Sequence, residues 1–294
     1  MEENNKVEIL PSKSTEELGF WMDGYLKSNL DIIRTVMDKN LDWDFHYICS
    51  GLERSGKSVF TMQICKYIDS KFNIDNIVFS SVDFIQKSKE LPKNSAILWD
   101  EAVEGGSTRE SITNIGTTLK KFVAQMGQKN LFVIMNIPDF FDLNKNLALR
   151  RSSGLFRVYA LDYFSRGYWG YYDRERKKNL WLLGYKTRDY DKQRYNVHGR
   201  FINHYVVDKE QYLLKKNESL MKSSELLEKN KIVRGGLNTL QLSSLVYHLG
   251  EDKGLSYSEI SKYINKSKTT TAEYYHKHNI KDCFICNKGG FSKD

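Results

Sequence analysis

Residues Gly51, Leu52, Glu53, Arg54, Ser55, Gly56, Lys57 and Ser58 fit the spacing G-x-x-x-x-G-K-S/T without a mismatch. That spacing suits polyphosphate. Its glycines let the backbone curl into a nest of amide donors. Lys57 is spaced to reach the outer phosphates, and Ser58 to offer its hydroxyl to magnesium. A short apolar run precedes the loop, and a helical pattern that includes Val59 follows it. The positive end of that helix faces the same anion. The implied cofactors are ATP, or another nucleoside triphosphate, and Mg2+. No base-recognition motif separates ATP from GTP.

A second cluster lies downstream. Ala96 to Trp99 is an apolar run that ends in Asp100 and Glu101. Beside the phosphate loop, Asp100 is the expected second magnesium residue. Glu101 is the expected base that orients or deprotonates an attacking water. Asn136 directly follows another apolar run, Leu131 to Met135. From an adjacent strand its amide is expected to touch the γ-phosphate or the water; the alternative is a turn former before Ile137 and Pro138. Arg150 and Arg151 lie between a helical pattern and a strand. They are candidates for an arginine finger on a neighbouring subunit, with Arg109 as a further one. The alternative is surface or DNA-contacting arginine.

These residues need a scaffold, and the pattern supplies one. Strands are predicted at 46–50, 77–80, 96–99, 131–135 and 154–161. Helices are predicted near 57–70, 82–91, 108–128 and 139–149. Alternating strands and helices argue for a mainly parallel sheet covered on both faces. Residues 1–40 form a helical extension, 41–205 the core, 206–234 a helical connector and 235–294 a small helical module. Within the core, 165–200 reads as a β-hairpin, with strands at 167–172 and 180–185 joined by a charged turn. Gly235 and Gly236 are expected to break the chain.

The formal net charge is +8 over 294 residues, which fits a polyanionic partner. Residues 165–200 hold ten Lys and Arg against four Asp and Glu. Arg174, Arg176, Lys177 and Lys178 crowd the expected turn beside Trp169, Tyr171, Tyr172 and Trp181, a mixture suited to phosphate contact and base stacking; the alternative is a hairpin whose aromatics pack on the core while its turn is only solvated. In the last module two short helices flank a polar turn, the spacing of a helix-turn-helix. Lys266, Ser267, Lys268, Thr269 and Thr270 begin the reading helix, so DNA is the expected partner; the alternative is a helical cap for protein contacts. His276, His278, Cys283 and Cys286 crowd together, but the two pairs are closer than structural zinc sites usually place them, and zinc is not expected. The longest clean apolar runs are too short to span a membrane, and the four cysteines form no disulfide framework. A cytoplasmic setting is the expectation. No serine-hydrolase, zinc-protease or nuclease signature appears.

The loop at 51–58, the Trp99, Asp100, Glu101, Ala102 stretch and the strand ending in Asn136 resemble the additional-strand, RecA-like P-loop ATPases. Within them the layout is similar to the FtsK/HerA group of DNA-pumping motors and the zonular-occludens-toxin-like ATPases of phages and mobile elements. Residues 136–143, followed by Arg150 and Arg151, look like the last core strand and finger region of such ATPases. The resemblance covers roughly residues 40–165. It implies a RecA-like α/β core and a homo-oligomer, often a hexameric ring, that threads or packages DNA for a virus or mobile element. Zonular-occludens-toxin-like proteins often carry a membrane span, and this sequence departs from them there. Two other readings stand beside the motor: a non-processive ATPase switch of the helicase-loader or partition kind, and a sequence-specific DNA-binding protein regulated by ATP.

Overall fold

A computed structural model describes residues 8–100, 129–143, 145–162 and 164–278, with the side chains of 147 and 223–240 excepted. The chain divides into two compact units, Met1–Leu220 and Met221–Asp294.

The first unit is built on a sheet of seven strands among the described residues: β1 (Phe45–Ser50), β2 (Ile77–Val78), β3 (Ala96–Trp99), β4 (Phe132–Ile137), β5 (Gly154–Tyr159), β6 (Tyr168–Tyr172) and β7 (Val197–Arg200). Their order is β2-β3-β4-β1-β5-β6-β7. The first five in that order pair in parallel, and β5-β6-β7 pair antiparallel. β4 therefore lies between the strand that feeds the phosphate loop and the strand that ends at Asp100.

Both faces of the sheet are apolar, as expected for parallel strands covered on both sides. Cys49, Leu98, Ile134, Phe156, Val158 and Trp169 belong to one buried layer with the helices α2 (Gly24–Asp38) and α3 (Lys57–Ile68). Ile48, Trp99, Met135, Leu155 and Tyr172 belong to the other, with Phe84 of α4 (Ser81–Glu90) and Leu180 and Trp181 of α5 (Arg174–Gly184). The alternation follows from the two-residue period of a strand. Ahead of α2 stands one short turn of helix, α1 (Thr15–Leu18), closed by a capping box between Ser14 and Glu17.

Three expectations are corrected. Residues 180–185 are not a strand. Asp173 accepts from the Arg176 amide as an N-cap, and Lys177, Leu180, Trp181 and Gly184 are buried at helical spacing in α5. β6 pairs antiparallel with β5 and with the later β7, so a helix replaces the charged hairpin turn. Residues 139–149 form no single helix. A 3-10 turn at Phe140–Asp142 and a π-helical turn at Leu147–Arg151 take its place. The adjacent Phe140 and Phe141 are both buried, which one helix face does not accommodate. Helix α6 (Lys209–Glu251) runs through Gly235 and Gly236 without a break. Glycine inside a helix costs about 1 kcal/mol relative to alanine, and helix-forming neighbours override that.

The second unit contains the end of α6 followed by α7 (Tyr257–Ile264) and α8 (Lys268–His276). Asn265 ends α7 in the left-handed conformation, and Ser267 caps α8 by accepting from the Thr270 amide. Val246, Ile260 and Thr271 are buried. Tyr247 stacks on His278 at 3.9 Å between ring centres.

Candidate functional site

The phosphate loop is a strand-loop-helix, with β1 before it and α3 after it. Arg54 at φ 60° and Gly56 at φ 98° both use the left-handed region. Gly51 is packed so closely that a Cβ there would lie 2.1 Å from the Val158 carbonyl oxygen. That glycine is required by β5, which no local pattern reveals. Lys57 Nζ donates to the carbonyls of Gly51 at 2.6 Å and Leu52 at 2.8 Å. Leu52, Glu53 and Arg54 are exposed, and Ser55 and Val59 are buried.

Asp100 continues past the end of β3 and is 1% exposed. Among the described residues three side chains donate to it. Ser58 Oγ reaches Oδ1 at 3.1 Å, Asn136 Nδ2 reaches Oδ1 at 2.7 Å, and Tyr212 OH reaches Oδ2 at 2.6 Å. Asn136 Nδ2 also reaches Thr61 Oγ1 of α3 at 3.0 Å. The structure thus gathers Ser58, Asp100 and Asn136, which the sequence separates by 42 and 36 residues. Tyr212 lies 112 residues from Asp100 and has no motif around it; its only signal is a tyrosine one turn into a helix.

The donor set fits a magnesium-nucleotide. Mg2+ prefers oxygen ligands, and the Ser58 hydroxyl and Asp100 carboxylate are adjacent. Ser55 Oγ in the loop and Asn136 Oδ1 beside Asp100 are buried without a hydrogen-bond partner among the described residues. Buried polar atoms of that kind call for a partner.

The other candidates fall elsewhere. Glu101, Arg109, Cys283 and Cys286 lie outside the described residues, as does the helix expected at 108–128. Arg150 and Arg151 are exposed on the π-helical turn at the amino end of β5. The Ser153 amide donates there to the His46 carbonyl, at the start of β1. The phosphate loop leaves the other end of β1, roughly 16 Å away at a strand's rise per residue. Arg151, after burial, helps push His46 down to about 4.

Of the basic cluster in α5, Arg174 and Lys178 are exposed, and Arg176 is half-buried and donates to the Tyr195 carbonyl. Lys177 is corrected as a DNA contact: it is fully buried and donates to Ser152 Oγ at 2.5 Å and to the Ser152 carbonyl. Burial, then Arg174, pushes its pKa down to about 7. Trp169, Tyr172 and Trp181 are buried in the core rather than open for stacking. In the second unit Lys266, Lys268 and Thr269 are exposed at the start of α8, and Thr270 is half-buried against the Ser267 cap. His276 and His278 are described. Among the described residues no three His, Cys, Asp or Glu gather as a metal group, and no helix is long and apolar enough to cross a membrane.

A mainly parallel α/β sheet with a phosphate-loop motif and a buried aspartate at its carboxyl edge is compatible with a RecA-like or AAA architecture. No protein-family model matches the chain, and no curated protein matches it in sequence. Among solved structures the chain is similar to the AAA domain of FIGL-1 in complex with ADP. The identity is 13% and the TM-score 0.33, over 72% of this chain and 92% of that one. A likeness this low carries no functional argument.

Proposed function

We propose that this protein binds ATP with Mg2+ and hydrolyses it, and that hydrolysis drives movement of DNA. One observation carries the first part: Ser58, Asp100 and Asn136 converge beside a complete phosphate loop. Ser58 donates its hydroxyl proton to Asp100, which leaves the lone pairs of Oγ for a cation. Ser58 and Asp100 would hold the metal. Magnesium, when bound, polarises phosphoryl oxygens and offsets their charge. Loop amides and Lys57 hold the phosphates, and Asn136 Oδ1 is an acceptor for the attacking water. Glu101, the residue after Asp100, is assigned the role of base.

The DNA part rests on the net charge of +8, on the exposed basic residues that open α8 and on the family resemblance. In this reading the subunits form a ring, and Arg150 or Arg151 serves a neighbour's nucleotide. The test is ATPase activity with and without duplex DNA, together with displacement of a protein roadblock. Stimulation with displacement supports the motor. Hydrolysis that saturating DNA leaves unchanged overturns it. Glu101→Gln is expected to bind ATP and lose turnover; unchanged turnover removes Glu101 from the reaction.

A further inference from the structure

We infer that Tyr212 is a positioning residue for the divalent cation, acting through Asp100; this rests on the nucleotide reading above. An ionised carboxylate only accepts hydrogen bonds, at about four lone-pair positions. Among the described residues two donors, Ser58 and Asn136, reach Oδ1, and one, Tyr212, reaches Oδ2. Among the described residues Oδ2 therefore keeps an acceptor position beside the Tyr212 hydroxyl, which fixes the direction in which it is offered.

The donor type matters. A lysine or arginine at this place would neutralise Asp100 and compete with a cation. The phenol orients the carboxylate and leaves its charge intact. A hydrogen bond to a charged group is also stronger than one between neutral groups.

Tyr212 is held from several sides. Gln63 Nε2 of α3 donates to the carbonyls of Ile202 at 2.8 Å and His204 at 2.9 Å, fixing the segment that leads into α6. Asp208 Oδ1 accepts from the Gln211 amide at 2.8 Å. Lys215 Nζ donates to the carbonyls of Ile74 and Ile77, each at 2.8 Å, next to β2. The Tyr212 ring, 2% exposed, packs against Phe79 and Tyr205. A hydroxyl aimed by so many restraints holds its partner in one orientation.

The experiment titrates Mg2+ into the full chain with a fluorescent ATP analogue, and reads bound Mn2+ by electron paramagnetic resonance as an activity-free measure. Tyr212→Phe keeps the ring and removes the hydroxyl. Its nucleotide affinity without metal is expected to stay within about twofold, while half-saturation by Mg2+ or Mn2+ rises about ten- to a hundredfold, the usual effect of losing a group that orients a metal ligand. Phe79→Leu loosens the ring packing but keeps the hydroxyl, and is expected to leave the metal midpoint in place. An unchanged midpoint in Tyr212→Phe, or equal shifts in both variants, overturns the role of the hydroxyl while nucleotide binding stands. Failure of the unaltered protein to bind nucleotide, with or without metal, overturns the underlying reading as well.

Discussion

Asn136 Nδ2 donates to Asp100 Oδ1 at 2.7 Å, across the neighbouring strands β4 and β3. Trp99 and Met135 are register partners, so the two residues that follow them stand side by side at the sheet edge. Asn136→Ala removes a donor from a carboxylate that is 1% exposed. A hydrogen bond to a charged group contributes about 1.5–3 kcal/mol. The variant is expected to unfold at lower denaturant and to lose turnover at least tenfold, with ATP affinity changed less. An undiminished kcat would remove Asn136 from the reaction.

Lys57→Ala tests the loop itself. Lys57 Nζ touches carbonyls of its own loop, in a half-exposed setting, so its loss is expected to change the melting temperature little. ATP affinity is expected to fall at least tenfold, because the only ammonium of the motif is gone. Isothermal titration separates the two effects, and retained ATP affinity would contradict the assigned role.

Two glycines with positive φ give a contrast. At Gly51 a Cβ would meet the Val158 carbonyl oxygen at 2.1 Å, whereas at Gly19 nothing lies within 4 Å. Gly51→Ala combines a backbone clash with strain and is expected to cost more than about 2 kcal/mol. Gly19→Ala carries the strain alone, about 1 kcal/mol. Equal losses in denaturant unfolding would mean that β5 yields to the loop.

Lys177 predicts a pH dependence. Its folded pKa is pushed down to about 7, against 10.5 unperturbed. Between those values the unfolded chain holds the proton and the native chain does not, so this group makes stability rise with pH across the window. Below the folded value the full burial cost is present. Lys177→Met removes the slope. The melting temperature of the unaltered protein minus that of the variant is therefore expected to grow from pH 6 to pH 9. A difference that stays flat would mean that the lysine is not depressed.

Lys266→Glu with Lys268→Glu reverses charge at the start of α8. In the proposed DNA-bound reading, basal ATPase is expected to remain, while DNA affinity falls and its salt dependence weakens, as removal of two proposed phosphate contacts requires. Full DNA stimulation in that variant would place the DNA elsewhere.

The sequence by itself determined the phosphate loop, the strand that ends in Asp100 and the helical pair after residue 256. Glycine at fixed offsets, short apolar runs and capping residues such as Ser267 act over a few positions, so they are legible locally. Asp173 and the spacing of Lys177, Leu180, Trp181 and Gly184 also carried the signal of α5, but the aromatic alternation nearby mimicked a strand. Only the tertiary structure decided that β4 enters between β1 and β3, bringing Asn136 to Asp100. It alone brought Tyr212 across 112 residues to the same carboxylate and buried Lys177. Strand order and helix docking depend on which apolar faces cover one another across the whole chain, and a local pattern of residue types does not encode that choice.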